Sequence, residues 1–149
     1  MEDVSEYKYL GFVLSSSADN MANIKSVKVK SFKTINSIFS KLKLLNLQKY
    51  HFECGILFMQ TMLRTSILYA SETYYNLKEN ELRSIERIEE TYLRQLISTR
   101  RFCTISMLYL EFGVWPARFE IIRMRLLFLK YILNQDEKST LYRFFKKQS

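Results

Sequence analysis

The stretch Asp19 to Lys43, DNMANIKSVKVKSFKTINSIFSKLK, sets Met21, Ile24, Ser31, Phe32, Ile35, Ile38, Phe39 and Leu42 at the 3.6-residue period. That spacing predicts one long amphipathic helix, with Asp19 placed to cap its first turn. The opposite face carries Lys30, Lys33, Ser37 and Lys41, flanked by Lys25 and Lys43. At 1.5 Å per residue the three central lysines span roughly 16 Å, comparable to several successive phosphates of a nucleic-acid strand. This helix decides the fold class, because a face so apolar must be covered by further helices or by a sheet.

Working outward, Tyr7 to Ser15 is rich in aromatic and branched residues and closes on Ser15-Ser16-Ser17, which predicts one strand or a short hairpin. A lone strand leaves its backbone donors and acceptors unpaired, so it needs a partner in this chain or beyond it. On the other side, Asn46-Leu47-Gln48 forms a joint before a second helix expected from Lys49 to Tyr75, apolar on most sides and therefore central. Gly55 inside it marks close approach of a neighbour, since a glycine there costs about 1 kcal/mol relative to alanine. A third helix is expected from Lys78 to Thr99, with Leu82, Ile85, Ile88, Tyr92, Leu93 and Leu96 as its stripe, acid early and Arg94 late. A short helix from Ile105 to Glu111, a break at Gly113 and a last helix opened by Pro116 and reaching Asn134 follow. Gln135 to Lys138 reads as a linker and Leu141 to Lys147 as a terminal helix or tail.

Composition agrees with a mainly α chain. Of 149 residues 48% are hydrophobic, while three glycines and one proline leave little punctuation for many short strands. The net charge of +8 favours an anionic partner. It is distributed in blocks of about −3 over residues 1–23, about +7 over 24–71, about −3 over 72–90 and about +7 over 91–149. With Cys54, Cys103 and His51 as the only cysteines and histidine, a four-ligand zinc site of those residue types cannot be assembled. Reduced, buried cysteines are the expectation, with a chain that is intracellular, cytoplasmic or nuclear. Met1-Glu2-Asp3 is acidic where a signal peptide is basic, and no apolar run approaches the roughly 18 residues of a membrane span.

Catalytic arrangements are weak. His51, Glu53 and Cys54 are too close along one helix to face each other, and no glycine-rich phosphate loop occurs. Arg118 and Arg125 share one side of the last helix, which is apolar nearly all round, so pairing of these arginines with Glu111 or Glu120 is expected. A helix without a clear polar face also expects company beyond this chain. Tyr9 and Phe12 could stack on a base or ribose, with core packing the stronger expectation for Phe12, and Tyr69, Tyr74 and Tyr75 read as helix-end packing.

Three islands carry a resemblance: Tyr9-Leu10-Gly11; Leu68 to Tyr74, with Ala70 and Tyr74 where the pattern has Gly and Trp; and Leu108, Glu111, Gly113, Pro116 and Arg118 in the spacing L-x-x-E-x-G-x-x-P-x-R. Between the last two, Leu93-Arg94 stands near the end of a charged helix. In that order they resemble the end of the palm and the thumb of reverse transcriptases from non-long-terminal-repeat (LINE-type) retrotransposons, over about Tyr7 to Leu133.

The resemblance implies a strand segment from a palm sheet over residues 1–17, a helical thumb-like domain over 18–134 and a tail over 135–149. It implies that Tyr9, Leu10 and Gly11 belong to the primer-end region, and that the partners are an RNA or RNA/DNA hybrid duplex held by its backbone and an upstream polymerase portion. Lys25, Lys30, Lys33, Lys41 and Lys43 are then the expected phosphate contacts. The family's two magnesium ions need closely placed carboxylates. Asp3, Asp19 and Asp136 are the only aspartates here, so magnesium is expected only in a missing catalytic part, and no polymerase activity is expected of the chain alone. Alternatives are a stand-alone helical protein-interaction module, or a retroelement remnant without function.

Overall fold

The computed structural model describes residues 6–9, 12–15, 20–45, 51–74, 77–98 and 103–135. The amphipathic stretch forms α1 over Met21–Leu44. Ile24, Val27, Ser31, Ile35, Ile38 and Leu42 are buried along one side, as the period requires. Met21, expected on that face, is partly exposed at the first turn. Asn20 holds the N-cap position without a side-chain capping bond, and Asp19 lies outside the described residues.

Ahead of α1, β1 (Glu6–Tyr9) pairs antiparallel with β2 (Phe12–Ser15), in a register that sets Tyr9 opposite Phe12 and Glu6 opposite Ser15. The hairpin alternative therefore holds, and among the described residues the sheet has these two strands alone. Such a ribbon is marginal in water by itself and needs packing support.

The second helical rod comprises α2 (His51–Phe58), a π-helical stretch (Met59–Leu63) and α3 (Arg64–Leu68). It stops seven residues short of the expected Tyr75. Tyr69 turns to extended backbone, Ala70 adopts φ 56°, and Ser71–Thr73 make one tight 3-10 turn. The Thr73 hydroxyl and N–H both donate to the Ala70 carbonyl, at 2.7 and 3.0 Å. The reversal buries Ser71 and Tyr74, so packing overrides the local helical pattern. Of the tyrosine cluster, Tyr74 is buried, Tyr69 is exposed and Tyr75 lies outside the described residues.

The third helix, α4, runs over Glu79–Leu96, shorter at its C-terminal end than expected. At its start the Glu81 carboxylate accepts the Lys78 N–H at 2.7 Å. Its Tyr92 hydroxyl donates to the Gly55 carbonyl at 2.6 Å, and a Cβ on Gly55 would collide with the Leu96 side chain. Gly55 is thus the point of close helix approach. Phe39 and Tyr92, ring centroids 5.3 Å apart, join α1 to α4.

Helix α5 (Ile105–Glu111) ends on Gly113 at φ 60°. Val114 N–H donates to Tyr109 O and Gly113 N–H to Leu110 O, the paired bonds of a left-handed helix stop. Pro116 then caps α6 (Ala117–Leu133). The core gathers Ile35, Ile38 and Leu42 from α1, Met59, Leu63 and Ile67 from the second rod, Ile85, Ile88, Tyr92 and Leu93 from α4, and Leu108, Ala117 and Ile121 beyond. The chain is mainly helical, and no helix among the described residues is long and apolar enough to cross a membrane.

Candidate nucleic-acid interface

Lys25, Lys28, Lys30, Lys33, Lys41 and Lys43 of α1 are all exposed; Lys28 borders the buried stripe, roughly 40° from Ile24, and the other five lie further round the helix. At about 100° per residue Lys30 and Lys41 project within roughly 20° of each other, with Lys33 some 60–80° away. Lys25 and Lys43 share a direction roughly 80° beyond Lys33. The five lysines expected to bind phosphate thus spread over roughly 140–160° of the helix circumference along about 27 Å, with Lys30, Lys33 and Lys41 within about 80° of one another and Lys25 and Lys43 well round to the other side. Lys30 also lines a shallow cavity of about 230 Å3 with Asn23, Val27, Thr65, Ser66 and Tyr69, where α1 crosses α3. Of the primer-end residues, Tyr9 pairs through its backbone with Phe12 at the turn end of the hairpin, while Leu10 and Gly11 lie outside the described residues.

A more tightly built cluster went unanticipated. Glu89 of α4, its side chain fully buried, accepts from Arg64 Nε at 2.9 Å, from the Tyr109 hydroxyl at 3.2 Å and from the Ala117 N–H at 2.8 Å. Arg64 donates onward to the Trp115 carbonyl. One carboxylate therefore ties α3, α5 and the N-terminus of α6 to α4, and it sits where the unpaired N–H groups and dipole of α6 favour negative charge. Burial pushes the Glu89 carboxyl above the usual carboxylate range, against the opposing pull of the Arg64 charge and its hydrogen-bond donors. Burial likewise raises the Tyr109 hydroxyl, assisted by the Glu89 charge.

The signal for Glu89 was present in the heptad spacing of α4. Ile85, Glu89, Tyr92 and Leu96 share one face, so a carboxylate there points inward. Its partners lie 20 to 28 residues away in sequence, which no local period reveals.

Arg118 does not take the expected partners. It forms a two-pronged ion pair with Glu86 and reaches Glu79 at 2.9 Å, bridging α6 to the exposed side of α4. Side chains on a helix lean toward its N-terminus, which directs Arg118 across to α4 and away from Glu120. Glu120 pairs instead with Arg123 at 2.8 Å, and Glu111 is exposed. Hydrogen bonding by Arg118 lowers the Glu79 carboxyl, and the bonds to Glu86 and Glu79 raise the guanidinium further.

Among the described residues, no group of three or more His, Cys, Asp or Glu side chains is placed to hold a metal ion. Asp3, Asp19 and Asp136 lie outside them, and Glu79, Glu86 and Glu89 are bound to arginines. Cys54 and Cys103 are free thiols, each partly exposed, where burial was expected. His51 is half-buried, edge-on to Phe52.

Compared with protein-family models, with curated proteins and with solved structures, the chain matches none.

Proposed function

We propose that this chain grips a nucleic-acid duplex through its sugar–phosphate backbone, as the non-catalytic C-terminal part of a retrotransposon-type RNA-directed DNA polymerase. The observation that carries the reading is the set of exposed lysines on α1, a helix whose other face is packed into the core. The three sequence islands add the resemblance to a polymerase thumb, and with it RNA or an RNA/DNA hybrid as the duplex. Lysines on a helix suit phosphate contact and recognition of a duplex by its backbone and shape. The chemistry of nucleotide addition belongs to carboxylates elsewhere.

The test is binding of a labelled RNA/DNA hybrid, measured by fluorescence anisotropy across a salt series. Each phosphate contact contributes about one unit to the slope of log K against log salt. The Lys30→Ala/Lys33→Ala/Lys41→Ala variant is expected to flatten that slope by about two to three units with no change in sequence preference. An unchanged slope removes the assignment, as does failure of the parent chain to bind the hybrid at low salt.

A further inference from the structure

Helix α6 has two apolar faces, and only one of them is used. Ala117, Ile121 and Ile132 are buried on the inner side, and the half-buried Met124 accepts a hydrogen bond from Ser71 there. On the outer side Phe119, Ile122, Leu126 and Leu133 are 51, 45, 59 and 55% exposed, with half-buried Leu129 completing the row. Trp115, 68% exposed just ahead of the helix, packs edge-on against Phe119 at 5.9 Å. The spacing Phe119, Ile122, Leu126, Leu129, Leu133 is an unbroken alternation of three and four, the a and d seam of a coiled coil. A surface helix needs no such row for its own fold.

The flanks say what fits. In that register Arg118 and Arg125 take g positions and Arg123 and Lys130 take e positions, so every charged flanking residue is a cation. Arg118 and Arg123 already have carboxylate partners, whereas Arg125 and Lys130 have no ion pair among the described residues. With Glu120 as its one acid, α6 carries +3. A second copy of this helix, parallel or antiparallel, would set cations against cations. We infer that the outer face of α6 docks an amphipathic helix of a partner protein that presents leucine-like residues at a and d and acidic residues at e and g.

Five half-exposed side chains offer on the order of 500 Å2, below the ~800 Å2 per partner of a standard interface. The contact is therefore of the weak, charge-steered kind, with dissociation constants in the micromolar range and a marked salt dependence.

The probe is a designed peptide of about three heptads with leucine at a and d and glutamate at e and g, against the same peptide with lysine at e and g. Binding to the full chain is read by anisotropy. The acidic peptide is expected to bind at least about tenfold tighter than the basic one. Ile122→Glu/Leu126→Glu, at exposed positions that leave the core intact, is expected to weaken it about tenfold or more. Arg123→Glu/Lys130→Glu, which leaves Arg118 and Arg125 as the remaining cationic flank, is expected to abolish the preference between the two peptides. Equal affinity for both peptides, or binding of neither, overturns the inference. Sedimentation of the chain as a dimer that Ile122→Glu/Leu126→Glu dissolves would assign the face to a second copy. Unchanged peptide preference in Arg123→Glu/Lys130→Glu, with weakened hybrid-duplex binding instead, would assign the flank to nucleic acid. Either result overturns the inference, and neither bears on the α1 lysines.

Discussion

Replacing Arg64 by methionine keeps the hydrocarbon stem and removes the charge opposite Glu89. The pair stands at 2.9 Å with side-chain exposures of 12 and 0%, so water cannot take over the guanidinium's role. Removing one member of a buried ion pair costs about 3–5 kcal/mol, because the other is left charged and uncompensated. The Tyr109 hydroxyl and the Ala117 N–H still donate to Glu89, which keeps the loss within that range. For a chain of this size the loss corresponds to roughly 10 °C in Tm.

The pH dependence separates this cause from lost packing. The Glu89 carboxyl is already raised by burial, and without Arg64 it rises further. A carboxyl raised in the folded state contributes stability that is fully present below its unfolded value and is lost as pH rises through the folded value. The stability gap between parent and Arg64→Met should therefore narrow as pH falls, by up to ~1.4 kcal/mol per pH unit wherever Glu89 holds a proton in the folded variant and not in the folded parent. Urea unfolding followed by helical circular dichroism at several pH values measures the gap directly. A neutral-pH cost below about 1 kcal/mol, or a gap that does not change with pH, would refute the claim that Arg64 compensates a buried charge.

Ala70 holds φ 56°, where an L side chain costs about 1 kcal/mol, so Ala70→Gly should raise stability by up to about 1 kcal/mol in the same unfolding assay, whereas a loss would mean that the methyl group makes contacts worth more than the strain. Burial raises the Tyr74 hydroxyl to about 12, and raises Tyr92 and Tyr109 as well. Their stabilising contribution is complete below pH ~10 and is lost as pH climbs through the raised values. Tyr74→Phe should therefore lose less stability than the parent between about pH 10 and 12, and parallel alkaline curves would show that Tyr74 ionises without penalty.

Periodicity was enough to place α1, the short helix α5 and the start of α6, because Ile24, Ile35, Ile38 and Leu42 repeat within one element and Gly113 and Pro116 act on their own backbone. The lysine band was legible for the same reason: a residue opposite an apolar stripe faces outward whatever covers the stripe. The end of the second rod was not legible, since local pattern favours helix through Tyr74, and only burial of Ser71 and Tyr74 makes a left-handed Ala70 worth its cost. Asn23 donates to the Tyr74 hydroxyl from 51 residues away, a contact that exists only once α1 is packed.

The Glu89 cluster and the partners of Arg118 belong with that second group. Which carboxylate answers which arginine depends on how helices cross, and the sequence alone pointed to Glu111 and Glu120 where the fold supplies Glu79 and Glu86. Amino-acid order determined the helices and their faces, because those follow from contacts three and four residues apart. Tertiary packing decided which charges lie buried, where the second rod breaks and which side of α6 stays open, because each of those rests on a neighbour brought in from far along the chain.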